Sequence, residues 1–397
     1  MTEAEENELR LFWHWGPMVS LILTLTVVTT TYIWWPVENH TRLSAHFGLY
    51  MLLYLLALYN FVMSVLMGPG LLPKHWQPKE PKDTRFLQYC HKCEGYKAPR
   101  AHHCRRCKRC VLKMDHHCPW INRCVGWANH AYFVYFLFFY LLGSIHSAVV
   151  LACGLYQFVS DNFMLQPKKF IILVQQNYLS VIMCVTCFCI ALGTVLTMIK
   201  LLVIQMYAIL TNCTDIEQWI WKKAQVRRYC SQQQLQPFVH PYHLGWYGNL
   251  GQVFNMDSQY RSRGIDWPMR ANCDQYALTI EQLAQKADNR NRTRIYRCVK
   301  RATGSWLPLW SQGLMVTLCL PCTDDPRIVL EPNDLVRVTR IGSHWLFGER
   351  VLSELEERRK QPRPGALRGW FPRPCAVDIT ETSNCKDQSN KSNFKYE

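Results

Sequence analysis

Seven cysteines and several histidines crowd one stretch of 35 residues, from Cys90 to Cys124. Tetrahedral zinc takes four ligands from Cys and His side chains, and closely spaced C-x2-C pairs suit such sites. Two zinc ions need eight ligands, whereas the seven cysteines and two histidines supply nine. The candidate for the cysteine left over is Cys118, because it alone directly follows an Asp-His-His sequence. Asp, His and Cys side by side offer an orienting carboxylate, a base and a nucleophile.

The run C-x2-C-x9-HC-x2-C-x2-C-x4-DHHC-x5-C-x4-N-x3-F ends at Asn129 and Phe133. It resembles the signature of the DHHC protein S-acyltransferases. That resemblance implies a protein-cysteine S-palmitoyltransferase, which takes a long acyl chain from acyl-CoA onto Cys118 and passes it to cysteine thiols of substrate proteins. Covalent catalysis of this kind replaces one difficult transfer with two easier thioester exchanges.

A thiolate is the nucleophile, so Cys118 must lose its proton. His116 is placed to take that proton if the backbone folds both side chains to one side, and Asp115 or a neighbour would hold the imidazole tautomer. The resemblance also implies two structural zinc ions, one held by Cys90, Cys93, His103 and Cys110, the other by Cys104, Cys107, His117 and Cys124. Four protein ligands at each ion are typical of structural zinc, since catalytic zinc keeps a position open.

The competing function is a non-enzymatic membrane adaptor that recruits partners through its zinc fingers and a C-terminal barrel. A purely structural zinc module needs neither Asp115 nor a spare thiol, so the intact Asp115, His116 and Cys118 favour the enzyme. A disulfide framework is disfavoured because interleaved histidines serve no purpose there and the segment is expected in reducing cytosol.

The chain has 397 residues, a net charge of +16 and 49% hydrophobic residues. Apolar stretches predict a polytopic α-helical membrane protein with four transmembrane helices, at residues 16–36, 46–67, 131–158 and 178–210. Because the basic residues flank these spans, the charge favours a membrane surface and no nucleic-acid partner is expected.

The segment between the second and third spans carries thirteen Lys and Arg residues, against three in the other two loops together. The positive-inside rule therefore places the cysteine-rich DHHC domain (68–130) and both termini (1–15 and 379–397) in the cytosol. The expected partners are the bilayer, acyl-CoA and proteins with membrane-proximal cysteines. Two roles remain open for these basic residues. They set the topology at an anionic membrane surface, or they bind the phosphates of CoA.

A cytosolic amphipathic and linker region (211–293) is expected after the fourth span. Thr214 and Glu217 fit a capping box at a helix start. They also resemble the family's TTxE element, with Asp215 in place of its second threonine. Asn249 resembles the family's conserved asparagine, in a stretch that by itself predicts a turn and a short strand.

Short alternating runs from Arg294 predict a small β domain (294–378). Their order resembles an SH3 barrel, with Trp345 as groove tryptophan and Pro372 as groove proline. The family has an endoplasmic-reticulum branch with such a domain, which implies an endoplasmic-reticulum membrane location, although no dilysine signal ends the chain. A proline-peptide partner and a purely structural barrel remain alternatives.

Gly143 stands about twelve residues into the third span, roughly 18 Å along a helix that rises 1.5 Å per residue. An extended sixteen-carbon chain is about that long. The small side chain would therefore leave room for the acyl chain, or it would let two helices approach closely.

Overall fold

The computed structural model describes residues 11–35, 45–160, 178–229, 236–255, 262–308, 312–323, 325–352 and 367–380. The chain divides into two compact units, Met1–Leu283 and Ala284–Glu397. Most of the expected N-terminal segment 1–15 and polar tail 379–397 lies outside the described residues.

Four helices in the described part of the first unit are long and apolar enough to cross a membrane, so the chain is a multi-pass membrane protein. They are α1 (Trp15–Ile33), α2 (Ala45–Leu66), α3 (His130–Val159) and α4 (Tyr178–Leu210). Helix α3 is the central one, since it packs against both α2 and α4. Many large apolar side chains on the outer faces stay exposed, as lipid-facing residues would.

Helices α2 and α3 approach closely at Gly143. A Cβ atom there would lie 3.0 Å from the ring of Tyr54, and the Tyr54 hydroxyl shares a 2.9 Å hydrogen bond with Ser147 on α3. Small residues are common where transmembrane helices meet. Of the two interpretations of Gly143, close helix packing fits this contact.

The cysteine-rich segment forms three antiparallel hairpins from very short strands. The pairs are β1 (Tyr89–Cys90) with β2 (Gly95–Tyr96), β3 (His102–Cys104) with β4 (Arg109–Val111), and β5 (His116–Cys118) with β6 (Arg123–Val125). Each turn contains a residue with left-handed backbone, namely Glu94, Lys108 and Asn122. Two-stranded ribbons this short are not stable alone, so their side-chain clusters must hold them.

The beginning of α1 packs directly against the turn of the third hairpin. A Cβ on Gly16 would lie 1.9 Å from the carbonyl oxygen of Pro119, so only glycine allows this approach. Trp15 meets Trp120 edge to face with ring centroids 5.5 Å apart. The first spanning helix thus presses on the turn that follows Cys118.

Helices α5 (Asp215–Tyr229), α6 (Trp246–Phe254) and α7 (Ala277–Asn291) follow α4. A buried ion pair joins α5 to the cysteine-rich segment: Arg100 Nε lies 2.6 Å from Glu217 Oε1, and both side chains are 0% exposed. The Arg100 guanidinium also lies over the rings of Tyr242 and Trp267. Removing either partner would leave an uncompensated buried charge, which is strongly destabilising.

The segment around Asn249 is a helix, so the short strand expected there is wrong. Leu250, Val253 and Phe254 recur at helical spacing and pack on α3 and α4. Asn249 Nδ2 donates to the carbonyl of Leu210 at 2.7 Å, which ties α6 to the end of α4. This tertiary packing overrides the local strand preference.

The second unit contains a five-stranded antiparallel sheet. Its order is β12 (Arg368–Pro372), β11 (Trp345–Arg350), β10 (Leu335–Ile341), β7 (Arg294–Cys298) and β13 (Ala376–Asp378). A two-stranded ladder of β8 (Ala302–Thr303) and β9 (Val329–Leu330) accompanies it, and a short helix α8 spans Leu314–Leu318. Val336, Leu346 and Phe371 are among the fully buried residues of its core.

The proposed groove tryptophan does not lie open at the surface. Trp345 is 3% exposed and packs with Val316 of α8, Phe347 and Trp370. Its indole Nε1 donates to the carbonyl of Val316 at 2.9 Å. A segment of this unit therefore covers Trp345 and satisfies its polar atom.

Candidate active site

The first ligand set predicted from the sequence forms one cluster. His103 Nδ1 lies 3.4 Å from the sulfur atoms of both Cys90 and Cys93, and 3.9 Å from that of Cys110. The cysteines stand on the first and second hairpins and His103 on the second, so the cluster joins the two. These four donor atoms lie close enough together to hold one metal ion.

The second set forms an equivalent cluster between the second and third hairpins. His117 Nδ1 lies 3.6 Å from Cys104, 3.4 Å from Cys107 and 3.7 Å from Cys124, measured to the sulfur atoms. This cluster too could hold one metal ion. Cys118 belongs to neither group.

Asp115, His116 and Cys118 form a third group at the end of the same segment. His116 Nδ1 lies 2.8 Å from Asp115 Oδ2. The Asp115 side chain is 2% exposed and that of His116 is 35% exposed, so the carboxylate is buried behind a ring that solvent reaches. Cys118 lies close enough to the same imidazole to help raise its pKa. The arrangement brings together an acceptor, a base and a thiol in that order.

The surroundings of this group favour a negatively charged Asp115 carboxylate beside a positively charged His116 imidazolium. Burial alone would raise the pKa of Asp115, but the His116 hydrogen bond and nearby His130 hold it well below its usual range. Burial would likewise lower the pKa of His116, whereas its hydrogen bonds with Asp115 and Cys118 raise it to about 10. An imidazole held in this way keeps a proton at neutral pH once it has received one.

The start of α5 supplies another contact to Asp115. The backbone N–H of Asp215 donates to Asp115 Oδ1 at 2.9 Å. The predicted capping box fixes this helix start, because Thr214 N donates to Glu217 Oε2 at 3.0 Å and Glu217 N donates to Thr214 Oγ1 at 3.4 Å. The side chain of Asp215 is not needed for this bond, so the departure from threonine leaves it intact.

Asn129 and Phe133 hold the third hairpin to the membrane helices. Asn129 Nδ2 donates to the carbonyls of Cys124 (3.0 Å) and of Ser64 on α2 (2.8 Å). The Phe133 ring lies edge-on to the His116 ring with centroids 5.8 Å apart. Asn129 therefore anchors the hairpin to α2, and Phe133 packs against the edge of the imidazole.

Sequence reasoning missed two buried polar residues behind Asp115. Gln205 Nε2 donates to Asp115 Oδ2 at 3.1 Å, and Gln205 Oε1 lies 2.8 Å from His130 Nε2. Both residues are 4% exposed. The available signal was a glutamine within the apolar run of α4, since a polar side chain in a spanning helix is costly unless paired.

Comparison with known proteins is consistent with this geometry. The family model described as DHHC palmitoyltransferase matches residues 83–222. Palmitoyltransferase ZDHHC6 of Danio rerio is 40% identical over 388 residues, which cover 93% of this chain and 92% of that protein. The ZDHHC6 of Homo sapiens is 37% identical over 390 residues, with the same coverage.

A plant protein is similar over a shorter length. Probable protein S-acyltransferase 15 of Arabidopsis thaliana is 34% identical over 212 residues, which cover 52% of this chain and 77% of that protein. The likeness to the two ZDHHC6 proteins, in contrast, extends over nearly the whole chain, including most of the second unit. The chain belongs to the DHHC palmitoyltransferase family.

Proposed function

We propose that this protein is a protein S-acyltransferase that moves a long acyl chain, most simply palmitoyl, from acyl-CoA to Cys118 and then to cysteines of substrate proteins. The observation that carries the proposal is the hydrogen bond between the buried Asp115 carboxylate and His116, together with the interaction of Cys118 with the same imidazole. An adaptor would need no such group. Family membership favours the enzyme as well.

The first exchange begins with the thiol proton of Cys118. Since Nδ1 of His116 faces Asp115, Nε2 is the nitrogen left to accept that proton. The thiolate then attacks the carbonyl carbon of the acyl thioester, the carbon–sulfur bond to CoA breaks, and the CoA thiolate takes the proton back from His116. The second exchange repeats these steps with a substrate thiol as attacking group. Asp115 orients the ring and stabilises its charged form.

The two Cys/His clusters fit zinc in the chemistry and the spacing of their donors. Three thiolates and one imidazole are a common structural zinc set, and Zn–S and Zn–N bonds of about 2.3 and 2.0 Å imply sulfur–nitrogen separations of roughly 3.5 Å in a tetrahedron. The observed separations run from 3.4 to 3.9 Å. Zinc would fix the hairpins, while all four positions around each ion would be filled by protein.

The apolar surroundings of Cys118 suit an acyl chain. Cys118 is 6% exposed and packs with Phe61 and Val65 of α2 and with Phe133 and Phe136 of α3. An acyl group on the sulfur would thus meet side chains of spanning helices. The thioester itself would stay at the membrane face, because α3 begins at His130, soon after the third hairpin.

The proposed topology puts the cysteine-rich segment and both termini in the cytosol, where thiols stay reduced. Protease added to sealed microsomes should remove the chain beyond Leu210 and spare the loops near Asn39 and Asn162. Protection of the C-terminal part would contradict this topology. We propose the endoplasmic reticulum as the membrane, on the resemblance to that branch of the family.

The strand order of the second unit supports an SH3-like barrel, with β13 next to β7 at one edge and β12 at the other. The covered Trp345 argues for a structural role rather than capture of proline-rich peptides, because the indole Nε1 that would face a ligand already donates to Val316. Binding of a proline-rich peptide by the full chain, lost in Trp345→Ala, would contradict this role.

The test of the main proposal is acyl transfer by the purified full chain. Incubation with palmitoyl-CoA should give a hydroxylamine-labile acyl group on Cys118, found by peptide mass spectrometry, followed by transfer to an added thiol protein. A protein that contains zinc but forms no thioester would contradict the proposal and favour the adaptor.

A further inference from the structure

The Asp115 carboxylate is held from outside the cysteine-rich segment as well as by its neighbour His116. Gln205, near the end of α4, donates to Oδ2 at 3.1 Å. The backbone of Asp215 donates to Oδ1 at 2.9 Å. Three donors therefore fix the two oxygens, and two of the three come from α4 and the helix that follows it.

His130 determines which way the Gln205 amide points. An ionised carboxylate only accepts hydrogen bonds, so Gln205 must aim its nitrogen at Asp115 and its oxygen at His130. His130 Nε2, 2.8 Å away, must then carry a proton and donate it to Gln205 Oε1. The bonds consequently run in one direction, from His130 through Gln205 to Asp115.

All three side chains are buried, with Asp115 at 2% and the other two at 4% exposure. In such surroundings an unpaired amide or imidazole would be costly, whereas a fully paired chain favours one arrangement of its members. The first residue of α3 and a residue of α4 meet here, so the geometry of Asp115 depends on how these two spanning helices pack.

We propose that Gln205, oriented by His130, is a positioning residue for acyl transfer: it holds the Asp115 carboxylate in the one placement that aims His116 at Cys118. This inference rests on the proposed acyltransferase function and deepens it. The side-chain hydrogen bonds of Gln205 go to Asp115 and His130, so the proposed effect on Cys118 passes through Asp115. The simpler alternative is that Gln205 merely fastens α4 to the cysteine-rich segment.

The test variant is Gln205→Leu, which keeps a similar size and suits an apolar helix. The rate of thioester formation on Cys118 should fall about 10-fold or more, the usual cost of losing a partner that orients a functional group. Zinc content and the half-saturating palmitoyl-CoA concentration should stay at wild-type values. His130→Phe should also slow thioester formation on Cys118, but by a smaller factor than Gln205→Leu.

Gln218→Leu is the matched control, because this glutamine lies on α5 and donates to the carbonyl of Cys213 instead. It should react at the wild-type rate. If the wild type itself forms no thioester, the proposed function fails. If the wild type and Gln205→Leu react equally fast, only the present inference fails.

A double-variant cycle separates positioning from fastening. The readout is the rate at which iodoacetamide alkylates Cys118, followed by peptide mass spectrometry with the exposed Cys319 as internal control. This rate remains measurable in variants that transfer no acyl group. With Asp115→Ala already present, Gln205→Leu should change the rate no further. If adding Gln205→Leu to Asp115→Ala slows the alkylation of Cys118 further, the inference is overturned. Slower alkylation of Cys319 as well would also overturn it.

Discussion

The second and third hairpins are built alike, yet one supplies metal ligands and the other the candidate nucleophile. In β3–β4, His103 pairs with Cys110 and Cys104 with Arg109. In β5–β6, His117 pairs with Cys124 and Cys118 with Arg123. Every position of the third hairpin lies fourteen residues after its counterpart. Cys118 is therefore a cysteine at a ligand position, equivalent to Cys104.

Two substitutions separate the hairpins. Cys104 is completed by Cys107, but the counterpart of Cys107 in the third hairpin is Ile121, which is 0% exposed. The residue before the two histidines is Ala101 in the second hairpin and Asp115 in the third. A metal-binding turn becomes a candidate catalytic turn when the second thiol is lost and a carboxylate is gained.

The largest expected effect comes from exchanging sulfur for oxygen at the two equivalent cysteines. Cys118→Ser should abolish thioester formation and transfer while zinc stays near two ions per chain, because Cys118 lies outside both clusters. Cys104→Ser should release one zinc and destabilise the fold, since structural zinc sites contribute folding free energy. Metal analysis together with the acylation assay checks both. Loss of zinc from Cys118→Ser would show that ligand and nucleophile are misassigned.

The adjacent histidines should differ in the same way. His116→Ala should slow thioester formation by about 100-fold or more, the usual contribution of a general base, in a protein that keeps its zinc. His117→Ala should lose one zinc and melt at a lower temperature. The counterpart His102→Ala serves as control for removing a histidine at the same hairpin position. Equal zinc loss from His116→Ala and His117→Ala would remove the distinction between their roles.

The parts of this site that could be predicted are the local ones. The Asp115–His116–Cys118 group is read directly from the 35-residue segment, and the two ligand sets follow from its resemblance to the DHHC family. The four spans follow from hydropathy. Gln205 could not be predicted, because its bond to Asp115 joins residues 90 positions apart. The burial of Trp345 under α8 could not be predicted for the same reason, because its partner Val316 lies 29 positions earlier in the chain.

The fourteen-residue repeat was visible in the sequence and was overlooked. It pairs the two HHC triplets, His102–Cys104 with His116–Cys118, and it makes Cys118 the counterpart of a ligand cysteine rather than an arbitrary spare. The left-handed residues Lys108 and Asn122 share the same offset. An internal comparison of the segment with itself would therefore have predicted the hairpins.

Removing the charge of Asp115 should slow thioester formation less than removing the His116 imidazole. Asp115→Asn keeps the shape but removes the charge that favours imidazolium, so thioester formation should slow about 10-fold to 100-fold. Zinc content should stay unchanged, because Asp115 belongs to neither cluster. The measurement is the single-turnover rate with palmitoyl-CoA. A variant as fast as the wild type would mean that Asp115 only fastens α5 and α4 to the hairpin.

The smallest effect is expected from returning the missing thiol. Ile121→Cys restores a C-x2-C pair with Cys118, and added zinc should then inhibit thioester formation, whereas it should leave the wild type unaffected. The inhibition should be partial, because the counterparts of His117 and Cys124 one repeat later are Ala131 and Phe138, which cannot complete a tetrahedral set.

Loss of the buried isoleucine side chain will itself destabilise the hairpin, by about 1–3 kcal/mol for a large-to-small change of this kind. Ile121→Ala leaves a similar cavity without a thiol, so it separates packing from metal capture. Zinc inhibition of Ile121→Cys but not of Ile121→Ala would show that the isoleucine keeps Cys118 free of metal. Equal zinc sensitivity in both variants would mean that metal avoidance at Cys118 has another cause, and that the repeat explains the fold of the third hairpin without explaining its chemistry.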